Sequence, residues 1–266
     1  MSKEVFLHVG PHKTGTTSIQ AYLLAHEEFL AEHDIFVMRD SHVPSLAPWL
    51  KAAAGPKRPE RQVNCVNLAH CVIRPSLRTN YRLNVDRRIG RAEGKGDTES
   101  LSMACGLRDQ LRDHWQVVLE EAHEVISRAS ASRVVISGEC FSFLRTEDER
   151  QRLRLLTGEH AVRPILFFRD QEDWMRSWRA QLDKREHGVD ADDRSESIFD
   201  FSPQSWLTDH DEMRGFWGDE ASYLSYDGSL ERAGSVLPDF LQTIGLDLAI
   251  CPQWEGIWEN RTPAGA

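Results

Sequence analysis

The chain predicts a three-layer α/β domain, a central and mostly parallel sheet with helices on both faces. Three observations carry that expectation. Short β-branched or aromatic runs bounded by polar residues mark strands, longer stretches with helical spacing lie between them, and the two alternate along the chain. At 266 residues the chain can bury one substantial core, so a single domain is expected over 1–266.

The first strand is expected at Glu4–Val9, directly before a glycine-bearing loop. A helix follows from about Thr16 to Glu32, with Ile19, Tyr22, Leu23 and Leu30 close to one face. The segment from about 39 to 106 breaks the alternation. Pro44, Pro48, Pro56, Pro59 and Pro75 punctuate it, and Gly90–Gly96 is glycine-rich and charged. It reads as an irregular insertion, a lid over the C-terminal edge of the sheet. The alternation then resumes: helix Leu107–Ala131, strand Arg133–Ser137, helix Thr146–Thr157, strand Arg163–Phe168 and helix Gln171–Glu186. A helix at Thr208–Trp217, a strand at Ser222–Tyr226 and a helix at Ser229–Ile244 complete it. The tail after Trp258 reads as loosely held.

Hydrophobic residues make up 40% and charged residues 28%, ordinary values for a globular protein. No apolar run is long enough to cross a bilayer, and the N-terminus lacks the basic and apolar regions of a secretory signal. The five cysteines, Cys65, Cys71, Cys105, Cys140 and Cys251, are odd in number and without paired spacing. That argues against a disulfide framework or a zinc cluster and fits a cytoplasmic protein. The formal net charge of −10 speaks against a general nucleic-acid binder. Between Lys57 and Arg91, however, nine basic residues (Lys57, Arg58, Arg61, Arg74, Arg78, Arg82, Arg87, Arg88 and Arg91) face two acids, Glu60 and Asp86. That local balance suits either an anionic ligand or a solvated surface.

The strongest motif is Val9-Gly10-Pro11-His12-Lys13-Thr14-Gly15-Thr16-Thr17-Ser18, placed between a strand and a helix. Backbone amides at a helix start, with hydroxyls beside them, suit a phosphate. The nucleotide-triphosphatase version of this loop puts lysine after the second glycine, to reach the β- and γ-phosphates. Here Thr16 holds that place and Lys13 lies two residues before Gly15. A lysine at the front of the loop fits a ligand with fewer phosphates in a row. A bare helix cap would explain Gly15 and one threonine, but neither Lys13 nor three consecutive hydroxyls.

The run His12-Lys13-Thr14-Gly15-Thr16-Thr17-Ser18-Ile19-Gln20 resembles the 5′-phosphosulfate loop of sulfotransferases, particularly bacterial ones. A second run, Pro164-Ile165-Leu166-Phe167-Phe168-Arg169-Asp170 continuing to Ser177, resembles that family's 3′-phosphate element. The resemblance implies a P-loop-like fold and the co-substrate PAPS (3′-phosphoadenosine-5′-phosphosulfate), with PAP, or 3′,5′-ADP, as product. It implies His12, Lys13, Thr14, Gly15, Thr16, Thr17 and Ser18 at the 5′ end, with Arg169 and Ser177 at the 3′-phosphate. Physics agrees for Arg169: an arginine at a strand's C-terminal end points into the crevice where open α/β sheets bind ligands, and its fork grips phosphate. Taken alone, Arg169 would better suit an ion pair with Asp170 or Asp173, with Ser177 a plain helix-surface residue; beside the Lys13 loop the phosphate reading is preferred.

Sulfuryl transfer needs positive charge at the leaving oxygen, a role for Lys13, and a base for the acceptor. Glu139, just past the strand Arg133–Ser137, is the first candidate, with a structural ion pair as the alternative. The run Ser137-Gly138-Glu139 also resembles the Gly-Glu of related carbohydrate sulfotransferases. His70, inside the basic insertion, is the second candidate. Trp174 and Trp178 suit stacking on adenine or plain core packing, and Arg261 vaguely resembles a C-terminal nucleotide contact. No metal site is expected. The acceptor implied by the family is a hydroxyl or amine on a small molecule or glycan, and the basic run fits an anionic one. The rivals are an ATP- and Mg²⁺-dependent small-molecule kinase and a non-catalytic nucleotide-binding protein.

Overall fold

The computed structural model describes residues 2–11, 13–53, 63–74, 84–183, 206–207 and 209–254. Five parallel strands form one sheet: β1 (Glu4–His8), β2 (Ile35–Val37), β3 (Arg133–Ser137), β4 (Ala161–Phe168) and β5 (Ser222–Ser225). Their spatial order is β2-β3-β1-β4-β5, every pairing parallel. The strand that feeds the phosphate-type loop is therefore central. Its neighbours are the strand that ends at Ser137 and the strand that ends before Arg169. From β1 the chain moves outward to β2, returns to β3 and then crosses to β4 on the other side. That reversal opens a crevice above β1, the usual binding place in such sheets. The expected three-layer, P-loop-like α/β fold is the observed one.

Both faces of the sheet are covered because β1, β3 and β4 are apolar on both sides, as parallel strands are. On one face Phe6, Val135, Ile165 and Phe167 pack with Ile19, Tyr22, Leu23, Phe240 and Leu241. These belong to α1 (Thr16–Ala25) and to the C-terminal helix of the described chain. On the other, Val5, Leu7, Val134, Ile136 and Leu166 pack with residues of the middle of the chain, among them Leu68, Val118, Leu119 and Leu156.

Three predicted helices are each divided. Thr16–Glu32 is α1 followed by α2 (Glu27–Glu32), broken at His26. Residues 107–131 belong to two helices that meet at His114; in chain order, α3 (Ala47–Ala53), α4 (Val66–Val72) and α5 (Asn84–Lys95) precede them, and they are α6 (Thr98–Asp113) and α7 (Trp115–Arg128). Next come α8 (Glu147–Thr157), α9 (Gln171–Asp183) and α10 (His210–Trp217). The last predicted helix is α11 (Tyr226–Ala233) and α12 (Leu237–Thr243). Gly234, with φ 64°, ends α11, and Pro238 sits in the first turn of α12, as helix stop and start chemistry dictates.

The segment expected to be irregular differs most. Its described residues are largely helical, and Leu68, Ala69, Cys71 and Val72 of α4 are fully buried in the core. Asp40 holds this helix in place: its carboxylate accepts from the backbone of Asn67 at 2.9 Å and Leu68 at 3.1 Å, and from the Asn67 amide. Strand β2 lies just before the segment and was not expected. At three residues it is too short to show an alternating pattern. Among the described residues no helix is long and apolar enough to cross a membrane.

Candidate active site

The loop after β1 is held from within. Thr14 Oγ1 donates to the Pro11 carbonyl at 2.6 Å, closing the turn. Lys13 and Gly15 both have left-handed backbones, φ 70° and 84°. For lysine that conformation is strained by about 1–3 kcal/mol. At Gly15 a side chain is excluded twice, because a Cβ would also lie 2.6 Å from Val236 Cγ2. No side chain caps the N-terminus of α1, and its first turn holds no acid. That end is suited to an anion.

The five hydroxyl and glycine positions are not equivalent. Thr14 is buried and engaged with Pro11. Thr16 is buried too, its Oγ1 facing Gly10. Thr17 and Ser18 are partly exposed and are the hydroxyls open to a ligand. Lys13 is partly exposed. His12 lies outside the described residues.

Arg169 comes to this loop from across the sequence. Its Nη1 is 3.5 Å from the Lys13 carbonyl oxygen, at the limit of a hydrogen bond. Its Nε is 3.9 Å from Asp227 Oδ1, and its guanidinium lies 5.1 Å above the Tyr226 ring. The ion pair is thus with Asp227 rather than with Asp170 or Asp173. Asp170 instead caps α9 through Glu172 and Asp173 backbone amides. Asp227 also accepts from the Asp170 backbone at 3.0 Å, tying the end of β5 to the end of β4. Neither Tyr226 nor Asp227 was expected at the site; the available signal was an aromatic-acid pair at the end of the predicted strand Ser222–Tyr226. Ser177 stands partly exposed on α9, one helix after Arg169.

Glu139 starts a short 3-10 turn, Glu139–Phe143, at the end of β3. The preceding Gly138 donates its N–H to the His8 carbonyl at 3.1 Å, so Glu139 sits beside the end of β1. His70 is elsewhere in kind: it is buried within α4, which packs on the same 3-10 turn and on α6, α7 and α8. Trp174 is a core residue at 5% exposure. The side chain of Trp178, and Arg261, lie outside the described residues. Of the basic run, Arg74 has a described side chain; it pairs with buried Glu149 at 3.3 Å and stacks over Trp206.

Beneath the loop lies a polar cluster that sequence reasoning missed. His8 is fully buried at the end of β1, edge-on to Phe240 and Phe167. Its Nδ1 is 2.9 Å from Ser137 Oγ on β3, and Ser137 Oγ accepts from Gln20 Nε2 of α1 at 3.2 Å. Burial pushes the imidazole down to about 4, against a smaller upward pull from Glu139. The signal was a histidine at a strand position flanked by apolar residues, where a charged ring cannot be solvated.

No protein-family model and no curated protein matches the chain. Among solved structures it is similar to a crystal structure of a sulfotransferase from Alicyclobacillus acidocaldarius. The identity is 14% and the TM-score 0.45, over 98% of this chain and 88% of that one.

Proposed function

We propose that the chain is a sulfotransferase that moves a sulfuryl group from PAPS to a hydroxyl or amine of an acceptor. The observation that carries this reading is the pairing of two anion-suited groups at one crevice. Arg169 reaches the backbone of Lys13 from the neighbouring strand, and among the described residues its guanidinium makes no hydrogen bond shorter than 3.5 Å. A half-buried guanidinium whose described hydrogen bond is 3.5 Å long and whose ion pair with Asp227 is 3.9 Å apart keeps donors for a phosphate. The loop supports it, with lysine ahead of Gly15 and threonine where a triphosphatase has lysine.

In this reading Lys13, Thr17, Ser18 and the open amides of α1 hold the 5′-phosphosulfate, and Arg169 with Ser177 holds the 3′-phosphate. Glu139 takes the proton from the acceptor as its oxygen or nitrogen bonds to sulfur. The bond from sulfur to the nucleotide phosphate breaks, and 3′,5′-ADP leaves with the electron pair, its charge met by Lys13. Glu139 is preferred to His70 because it is partly exposed at the crevice while His70 is buried in the core. A glycan or small anionic acceptor, and a cytoplasmic setting, belong to the same proposal.

Thermal shift with 3′,5′-ADP, 5′-AMP and ATP with Mg²⁺ tests it. A ligand that binds only the folded protein, at a hundred times its Kd, adds about 2.7 kcal/mol. Stabilisation by 3′,5′-ADP above the other two is expected. Stabilisation by ATP with Mg²⁺ alone would put a kinase in its place.

A further inference from the structure

The His8–Ser137–Gln20 cluster has a direction. Ser137 is fully buried, and its Oγ already accepts from Gln20 Nε2. Its own proton therefore has one described acceptor in reach, His8 Nδ1 at 2.9 Å. An imidazole that accepts at Nδ1 carries its proton at Nε2. That Nε2 is buried and has no hydrogen-bond partner among the described residues, and the same holds for Thr16 Oγ1. The two atoms converge on one place: a Cβ built on Gly10 would lie 2.3 Å from Thr16 Oγ1 and 2.9 Å from His8 Nε2. Gly10 is thus the residue that leaves them room to face each other. Other buried polar atoms also lack a described hydrogen-bond partner, but His8 Nε2 and Thr16 Oγ1 are the two that converge on Gly10 beneath the loop. Two of them at the base of one anion-suited loop make a built site.

We propose that His8 is a positioning residue of the donor loop: its Nε2–H becomes the donor to Thr16 Oγ1 when a nucleotide phosphate settles the loop onto the end of α1. This rests on the donor-site reading above. The imidazole stays neutral and transfers no proton. Ser137 and Gln20 set its tautomer, and it fixes the first residue of α1, whose amide opens the anion-binding end of the helix. Glu139 is the charged group whose field His8 feels, so the same histidine joins the loop to the side of the crevice where the acceptor's proton is taken.

Titration calorimetry with 3′,5′-ADP tests it on the wild type and on His8→Asn, His8→Gln, Thr16→Val and Lys13→Ala. Asparagine keeps an amide at the Nδ1 position and loses the Nε2 donor, whereas glutamine reaches the Nε2 position. His8→Asn and Thr16→Val should each weaken binding about tenfold, the worth of one buried hydrogen bond. The double variant should be no weaker than either single one, and His8→Gln should stay within about threefold of wild type. Acceptor KM should not move. Wild-type binding by His8→Asn, additive losses, or His8→Gln no better than His8→Asn would overturn the role of His8 while leaving the donor site standing. A wild type that ignores 3′,5′-ADP, or Lys13→Ala that binds it unchanged, removes the donor reading and this inference with it. Should the variants fail to fold, ¹⁵N spectra of the wild-type imidazoles decide. His8 must show the Nε2–H tautomer, with its proton resonance moving on addition of 3′,5′-ADP, and the Nδ1–H tautomer would sink the idea.

Discussion

At the N-terminal edge of the sheet, Lys3 Nζ donates to the carbonyls of Ala129 and Ala131, and Arg133 donates to those of His33, Ile244 and Gly245. At the C-terminal edge, His8 Nε2, Thr16 Oγ1 and Arg169 Nε lie buried with no hydrogen bond among the described residues. The same sheet thus carries cations bonded to several backbone carbonyls at one end and, at the other, a histidine, a threonine and an arginine that keep polar atoms to spare. Leaving a buried donor unsatisfied costs about 1–3 kcal/mol, a penalty that stability alone would remove. The difference teaches where to look for a ligand: an arginine bonded to several carbonyls staples the fold, while Arg169, paired with Asp227 only at 3.9 Å, keeps donors that a phosphate would use.

The contrast is sharpest if one cation at each edge is removed. Lys13→Ala should lower kcat/KM for sulfuryl transfer by about 10²–10³-fold, the usual effect of losing one group that meets developing charge. Alanine and lysine bear the same Cβ strain at φ 70°, so the backbone of the loop is unchanged and the loss is read as activity per folded molecule. Turnover surviving at full rate would remove Lys13 from the mechanism and erase the distinction between the edges. Arg133→Met should do the opposite. It strips hydrogen bonds from three carbonyls at the ends of two helical turns and a loop, and should cost about 2 kcal/mol in urea unfolding. Activity per folded molecule should stay unchanged.

The same contrast explains what the residues alone revealed. Strands β1, β3, β4 and β5 were legible because each is a run of β-branched or aromatic residues between polar ones. The loop's place between β1 and α1 was legible from its glycines and the strand before it, whereas the pairing of Arg169 with Asp227 was not, since the partner lies 58 residues further on. The break at His114 was not, since Leu111 and Val118 keep helical spacing across it and periodicity continues through the turn. The insertion was misread because its prolines and basic residues masked α4, whose Leu68, Ala69, Cys71 and Val72 are interrupted by Asn67 and His70 and are buried against elements that lie mostly far along the chain. His8 and its cluster were invisible for a related reason. Ser137 meets His8 from 129 residues away and Gln20 meets Ser137 from 117 residues away, and no local pattern marks a hydrogen-bond network assembled by the sheet.

The smallest expected effect concerns the imidazole itself. Burial holds the His8 pKa at about 4 in the folded chain, below the ordinary 6.5, so the unfolded chain binds the proton more readily. Stability from the neutral ring is fully present above pH 6.5 and is lost as pH falls towards 4. Between pH 7 and 5.5 that amounts to about 1 kcal/mol. His26, His42, His160 and His210 are also lowered by burial, and buried Asp40, raised to about 6, runs the other way. A wild-type titration alone would therefore mix them. The difference between wild type and His8→Gln isolates the ring, because glutamine does not titrate and the other groups cancel. Urea unfolding at the two pH values should show the wild type losing about 1 kcal/mol more than the variant. Equal losses would mean that His8 accepts a proton in place, with Glu139 as its counter-charge. The imidazole would then belong with the engaged cations of the opposite edge rather than with the under-engaged groups of the loop.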